Sequence, residues 1–237
     1  MRARTRYTLY MENYTDRLEI LYGAEAVRKL KASKVAVVGV GGVGGYAAEA
    51  VARAFVGEIL LIDADVVQPS NVNRQIIAFP SVVGQSKAEL MKKRVEEINP
   101  ECKVTAKSLF VTEENLASLE ELWQADVIVD AIDSVPSKIA LILEAKKRGV
   151  FSVSAMGAAN REDITAFRAA DISETHTCPL AKKIRKALAE KGVTDGVRVV
   201  FSTEKAKTFG GALGSNSFTP AAAGLLAASE AIKKIIR

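Results

Sequence analysis

Apolar and polar positions run in alternating blocks through the first two thirds of the chain. Lys34–Val40 is a continuous apolar run, which suits a strand buried on both faces rather than one half-open to water. Glu25–Lys31 ends a helix ahead of it. The small residues of Tyr46–Phe55 predict a helix behind it, with Gly57 just past the end. Ile59–Ile62 repeats the apolar strand. Ser86–Ile98 is amphipathic at helical spacing and stops at Asn99-Pro100, because the residue before a proline avoids helical backbone. Val104–Lys107, Val127–Val129 and Phe151–Ser154 predict further strands. Asn115–Trp123 and Lys138–Arg148 predict the intervening helices, the second ended by Gly149. Such alternation predicts an α/β fold, a Rossmann-like doubly wound sheet that is mainly parallel.

After Ser154 the rhythm changes, and additional C-terminal strands and helices are expected. Ile164–Arg168 and Val197–Ser202 read as strands. Pro179–Lys191 lies between them as a helix, with proline at its first position and Gly192 past its end. Leu180, Ile184 and Leu188 form its core stripe. Phe209–Ser217 is rich in glycine and serine and reads as a mobile segment, followed by a last helix over Pro220–Ile236.

Composition narrows the class. The chain has 237 residues, 49% hydrophobic and 26% charged, an ordinary globular balance with no run long enough to span a bilayer. The basic N-terminus lacks an apolar stretch, so no secretory signal is expected and the protein is read as cytoplasmic. Cys102 and Cys178 lie far apart and belong to no C-x-x-C pair, which argues against a disulfide scaffold or a thiolate zinc site. The net charge of +5 allows a polyanionic partner without requiring one.

Between the first strand and its helix stands GVGGVGG. Gly39 permits a tight turn, Gly41 lets the backbone approach a phosphate, and Gly44 permits close helix–strand packing. The helix beginning near Gly42 turns its free N–H groups and positive dipole end toward an anion. Asp63 ends the next strand and can accept hydrogen bonds from ribose. A nucleotide site follows, and the glycines with Asp63 would serve NAD as well as ATP. The next stretch favours a triphosphate. Asp65, Asn71, Arg74 and Gln75 crowd behind Asp63, with Lys87 at a helix start and Asp133 after the fourth strand. Arg74 can neutralise phosphate charge, Asn71 can hydrogen-bond a phosphate oxygen, and Asp133 can hold Mg²⁺. Singly, Arg74 reads equally as a surface ion pair, Lys87 as a solvated helix residue and Asp133 as a helix cap. Together around one glycine loop they form a site.

The runs GVGGVGGYAAEAVARAFVGEILLIDADVV, SNVNRQ, GQSKAE and DAIDS resemble the ubiquitin-activating-enzyme-like ThiF/MoeB superfamily. That resemblance implies Mg-ATP-dependent adenylation of a carboxylate. It implies that Asp63 contacts ribose, that Arg74 and Lys87 contact phosphates, that Asp133 holds magnesium, and that Asn71 supports the phosphate site. Arg17, in DRLEILYG, matches an arginine that reaches an active site in the dimer, often the partner's, so a homodimer is expected. The second half, with INPECKV, MGAANREDITAFRAADIS, CPLAKKIRKALAEKG, VRVVFSTEKA and GSNSFTPAAAGLLAASEAIKKII, resembles the tRNA threonylcarbamoyladenosine dehydratase group. The resemblance implies ATP-dependent cyclisation of that nucleoside at position 37 of tRNA. One departure is Ala159-Asn160-Arg161-Glu162-Asp163, where many relatives carry a further glycine and a lysine or glutamine before Asp-Pro.

The expected organisation is a single ThiF/MoeB-like unit over 1–237, with an ATP-binding core over 31–155 and a substrate-side and dimerisation extension over 156–237. Lys182, Lys183, Arg185 and Lys186 on the 179–191 helix, with Arg198 and an N-terminal arm of Arg2, Arg4 and Arg6, are the tRNA candidates. On charge alone that helix also reads as an ordinary solvated face. Cys178, His176 and Trp123 read as structural residues. A monovalent cation at the C-terminal loop and a sulfur-transfer protein are further expected ligands. Two other functions use the same residues in part: adenylation of a sulfur carrier's C-terminus, and hydride transfer with NAD, which leaves Arg74, Lys87 and Asp133 without a role.

Overall fold

The structure is a computed structural model that describes residues 13–207, 210–211 and 213–237. The strands are β1 (Lys34–Val38), β2 (Glu58–Ile62), β3 (Lys103–Lys107), β4 (Val127–Asp130), β5 (Phe151–Ala155), β6 (Phe167–Asp171) and β7 (Arg198–Ser202). The helices are α1 (Asp16–Tyr22), α2 (Ala24–Ala32), α3 (Gly44–Arg53), α4 (Lys87–Ile98), α5 (Glu113–Leu116), α6 (Glu120–Trp123), α7 (Val135–Arg148), α8 (Pro179–Glu190) and α9 (Thr219–Ile236). Among the described residues seven strands form one sheet in the order β3-β2-β1-β4-β5-β7-β6, parallel throughout except for antiparallel β6. The expected doubly wound sheet with a C-terminal addition is what forms.

The apolar runs are continuous because both faces of the sheet are covered. Val35, Val37, Ile59, Leu61, Val127 and Val129 point toward α3, α4 and α9. Their neighbours Ala36, Val38, Leu60, Ile62 and Ile128 point the other way, toward Leu116, Leu122 and Leu141 on α5, α6 and α7. Ala181, Ile184 and Leu188 of α8 cover Val199 and Phe201 of β7. Burying each of the valine, leucine, isoleucine and phenylalanine side chains among these contributes roughly 1.5–3 kcal/mol. Helix α9 approaches α3 so closely that a Cβ on Gly224 would lie 2.2 Å from the Val43 carbonyl oxygen. Helix α4 is tied to α3 through Glu49, which accepts from Arg53 at 2.7 Å and from Arg94 at 2.6 Å. Burial works to raise the Glu49 carboxyl, but the two guanidinium groups outweigh it and hold it below the usual range.

Three expectations need correction. The single helix read over Asn115–Trp123 is two separate turns, α5 and α6. The Asn115 side chain reaches back to the Thr112 N–H in a capping box, and the Ser118 hydroxyl donates to the Asn115 carbonyl, so the chain begins a helix at Thr112 and leaves it within one turn. The strand read over Ile164–Arg168 starts later, at Phe167. Asp163 accepts from the Thr165 N–H and hydroxyl and winds Ile164–Ala166 into a 3₁₀ turn. Helix α3 begins at Gly44, not Gly42. Arg2, Arg4, Arg6 and part of Phe209–Ser217 lie outside the described residues. No helix among the described residues is long and apolar enough to cross a membrane.

Candidate active site

The chain leaves β1 toward β2 and β3, then returns to β4 on the other side of β1. A crevice opens where the direction reverses, at the carboxyl ends of the strands, which is where doubly wound sheets bind ligands. Here it is a cavity of about 790 Å³, lined by the glycine loop, Asp63, Asp65, Arg74, Gln75, Lys87 and Asp133, and on its far side by Met156–Arg161, Cys178 and Leu180.

Each glycine answers a different demand. Gly39 has φ +85°, and a Cβ there would sit 2.7 Å from the Ala131 carbonyl oxygen. At Gly44 a Cβ would fall 1.7 Å from the Gly39 carbonyl oxygen, so helix and strand could not close. Gly41 differs: its Cβ would meet nothing nearer than the Gln75 side chain at 3.5 Å. The protein itself does not require glycine there, and a side chain would fill the cavity instead. That is the cradle a phosphate needs.

Asp63 is held rather than free. Its carboxylate accepts from the Val40 N–H at 2.7 Å and the Asp65 N–H at 2.8 Å. Burial raises its pKa above the usual aspartate value despite both bonds and the nearby Lys87. Each oxygen retains a lone pair for a ribose hydroxyl. Lys87 starts α4, which Ser86 caps, and its buried ammonium donates to Asp65 at 2.7 Å. Arg74 donates from one terminal nitrogen to the Ser70 carbonyl at 2.7 Å and to Asn73 Oδ1 at 2.9 Å. Its stem lies against Gly42, and its other donors remain available to a ligand. Asp133 is exposed at the cavity edge. One hard carboxylate beside a phosphate cradle fits Mg²⁺, which takes few protein ligands and completes its shell with phosphate oxygens and water.

Not every expected residue converges. Asn71 is buried away from the cavity, its Oδ1 accepting from the Gln68 N–H at 3.0 Å. It acts through its backbone, since its carbonyl accepts from the N–H groups of Arg74 at 3.0 Å and Gln75 at 2.9 Å and so aims that segment. Arg17 stands exposed on α1 and is not among the residues that line this cavity. Lys182 and Lys183 are exposed on α8, and Lys186 faces Glu190 at 3.9 Å. Arg185 donates to the Thr175 carbonyl at 2.6 Å, and Arg198 pairs with Glu230 at 2.7 Å, so neither guanidinium is wholly free for a backbone phosphate. Cys178 is buried at the start of α8, His176 packs its ring edge-on to Phe201, and the Trp123 indole donates to the Leu116 carbonyl.

Three groups escaped the sequence reading. Asp130 and Lys138 form a fully buried ion pair of 2.8 Å beneath the loop that carries Asp133. Asp130 also accepts from the Ile132 N–H at 3.0 Å. A lysine eight residues beyond a strand-ending aspartate, on the inner face of the next helix, was the available signal. The third is Arg161, buried at the far wall. Its signal was a lone cation in a run of small residues directly after a buried strand.

A doubly wound sheet whose switch-point glycine loop, strand-end aspartate and clustered cations share one cavity has the architecture of a nucleotide-binding protein. Residues 14–237 match the ThiF family, and the chain belongs to it. Its place within that family is among the tRNA threonylcarbamoyladenosine dehydratases. It is 47% identical over 189 residues to the Bacillus subtilis (strain 168) enzyme of that name, covering 80% of this chain and 74% of the relative. The Escherichia coli (strain K12) enzyme is 41% identical over 191 residues, covering 78% and 71%. A crystal structure of the E. coli tRNA N6-threonylcarbamoyladenosine dehydratase in complex with ATP matches with a TM-score of 0.86 at 40% identity, covering 92% of this chain and 91% of that one.

Proposed function

We propose that this chain catalyses the ATP-dependent dehydration of N6-threonylcarbamoyladenosine at position 37 of tRNA, closing the threonylcarbamoyl side chain into a ring. The observation that carries the reading is the convergence of Gly41, Asp63, Arg74, Lys87 and Asp133 on one cavity, in a chain 40% identical to an enzyme of that name crystallised with ATP. A free carboxylate resists attack because oxide is a poor leaving group. Transfer of a phosphoryl or adenylyl group from ATP to the threonyl carboxylate forms a mixed anhydride. The ureido group of the same side chain then attacks the activated carbonyl and expels the phosphate group. The net change is loss of one water from the nucleoside, with ATP cleaved. The tether makes the second step unimolecular, so no protein nucleophile is required.

Asp63 orients the ribose, the Gly41 cradle holds phosphate, and Arg74 and Lys87 absorb charge during transfer. Mg²⁺ held by Asp133 would neutralise phosphate charge. The exposed lysines of α8, Lys182, Lys183 and Lys186, with Arg185, give tRNA a basic approach beside Pro179 and Leu180 of the cavity wall. A homodimer is part of the reading. Among the described residues helix α1 buries no side chain and leaves Ile20 and Leu21 more than half exposed, an apolar face suited to a second copy. A monovalent cation at the C-terminal loop, a sulfur-transfer partner and a cytoplasmic location complete it.

The test is incubation of the protein with Mg-ATP and tRNA bearing the threonylcarbamoyl group, followed by nucleoside mass spectrometry. The expected result is loss of one water that depends on ATP. The rate should fall by about 10²–10³ in Arg74→Ala. An unchanged nucleoside, with ATP still bound and a sulfur carrier adenylated instead, refutes the dehydratase reading.

A further inference from the structure

Arg161 is 4% exposed, yet its Nε and Nη2 have no acceptor among the described residues. Everything else about it is fixed. Nη1 donates to the Ala159 carbonyl at 3.0 Å, and its own carbonyl accepts from Asn216 Nδ2 at 2.9 Å and the Thr219 hydroxyl at 3.4 Å. These bonds fasten the loop after β5 to the start of α9. No carboxylate among the described residues lies within ion-pair distance of it. A buried guanidinium with two idle donors and no counter-ion is costly. It lines the cavity, so an anion arriving there would satisfy it.

The order of the strands says which anion. Along the carboxyl edge, Asp63 follows β2, the glycine loop follows β1, Asp133 follows β4, and Arg161 follows β5. A nucleotide with its ribose at Asp63 and phosphates over the glycine loop leaves the β5 side for the group that phosphate activates. The walls there combine small and apolar groups, Met156, Ala158, Cys178 and Leu180, with the polar side chains of Asn160 and Ser215. Such a pocket, with a single cationic fork, suits a carboxylate on a short side chain.

Resting on the proposed function, we infer that Arg161 binds the carboxylate of the threonylcarbamoyl substrate and presents it to ATP. The test uses anticodon stem-loops carrying threonylcarbamoyladenosine with a free carboxylate or with its methyl ester, and dissociation constants measured against wild type, Arg161→Met and Arg161→Lys. Wild type is expected to prefer the free carboxylate by about tenfold or more. Arg161→Met should bind both at the wild-type ester level with ATP affinity unchanged, and Arg161→Lys should keep part of the preference. Should Arg161→Met fail to fold by circular dichroism, the lysine variant carries the test, and a full wild-type preference in it overturns the inference. A preference undiminished in Arg161→Met also overturns it, as does a loss of ATP affinity with AMP affinity intact, which would assign the guanidinium to the polyphosphate. If wild type dehydrates no threonylcarbamoyladenosine, the functional reading itself fails and takes this one with it.

Discussion

At the scale of single residues, Asp63 shows how one carboxylate serves fold and ligand together. Burial raises its pKa, so the folded protein holds this proton more tightly than the unfolded chain does. The resulting stabilisation is present at acid pH and is lost as pH rises through the raised value. At neutral pH the ionised carboxylate is therefore a cost to the empty protein, and ribose hydroxyls relieve it by donating. Nucleoside affinity should accordingly fall as pH drops through the folded value, beginning above the ordinary aspartate range near about 3.9. Calorimetric titration with adenosine at a series of pH values checks this. Asp63→Ala should bind about 10–100-fold more weakly at neutral pH and lose that limb of the profile. That Asp63, Arg74, Lys87 and Asp133 share one cavity was legible because chemistry and spacing coincide in short stretches around the strand ends. The positions of Asn71 and Arg161 were not. A side chain's role there depends on which way a loop turns, and the Gln68–Asn71 capping box and the Asn216–Arg161 tie are made only when the fold closes.

At the scale of elements, helix and strand ends were read well wherever a residue has one conformational purpose. Pro179 opens α8, Gly149 with φ +71° closes α7, and Asn99 closes α4. Asn115 and Asp163 misled because a short polar side chain can bond its own neighbours and start a turn inside an apparently periodic run. The Asp130–Lys138 pair was hidden for a related reason, since each residue alone reads as an exposed polar position. Together they join the end of β4 to the first turn of α7, next in sequence to Ala131, whose carbonyl lies against Gly39. Lys138→Met leaves the buried Asp130 charge without its partner and should cost about 3–5 kcal/mol in chemical denaturation. Asp130→Asn combined with Lys138→Met keeps the acceptor for the Ile132 N–H and removes the charge, so the double variant should recover a good part of that loss. A double variant that loses as much as Lys138→Met and Asp130→Asn lose separately, added together, would mean the pair is not coupled.

At the scale of the whole molecule, alternation of strands and helices with one glycine loop was enough to locate the switch point, because parallel order and right-handed crossovers leave few other arrangements. What alternation does not encode is where α1 sits relative to the cavity, since none of its residues is buried among the described residues. Arg17 is exposed on that helix while Arg74 lines the cavity. If a second copy covers α1, the two arginines at one active site come from different chains. That arrangement has a consequence a monomer cannot imitate. Arg17→Ala and Arg74→Ala should each be inactive alone, yet subunits of the two variants, mixed and allowed to exchange, form heterodimers in which one site draws its Arg74 from one chain and its Arg17 from the other. Random pairing of equal amounts restores about a quarter of wild-type turnover, since half the dimers are mixed and each carries one intact site. The assay is nucleoside mass spectrometry on the mixture, with the dimer population followed by light scattering. A mixture as inactive as its components, in a sample shown to exchange subunits, places Arg17 and Arg74 in the same chain's site, and an Arg17→Ala variant as active as wild type removes Arg17 from the chemistry.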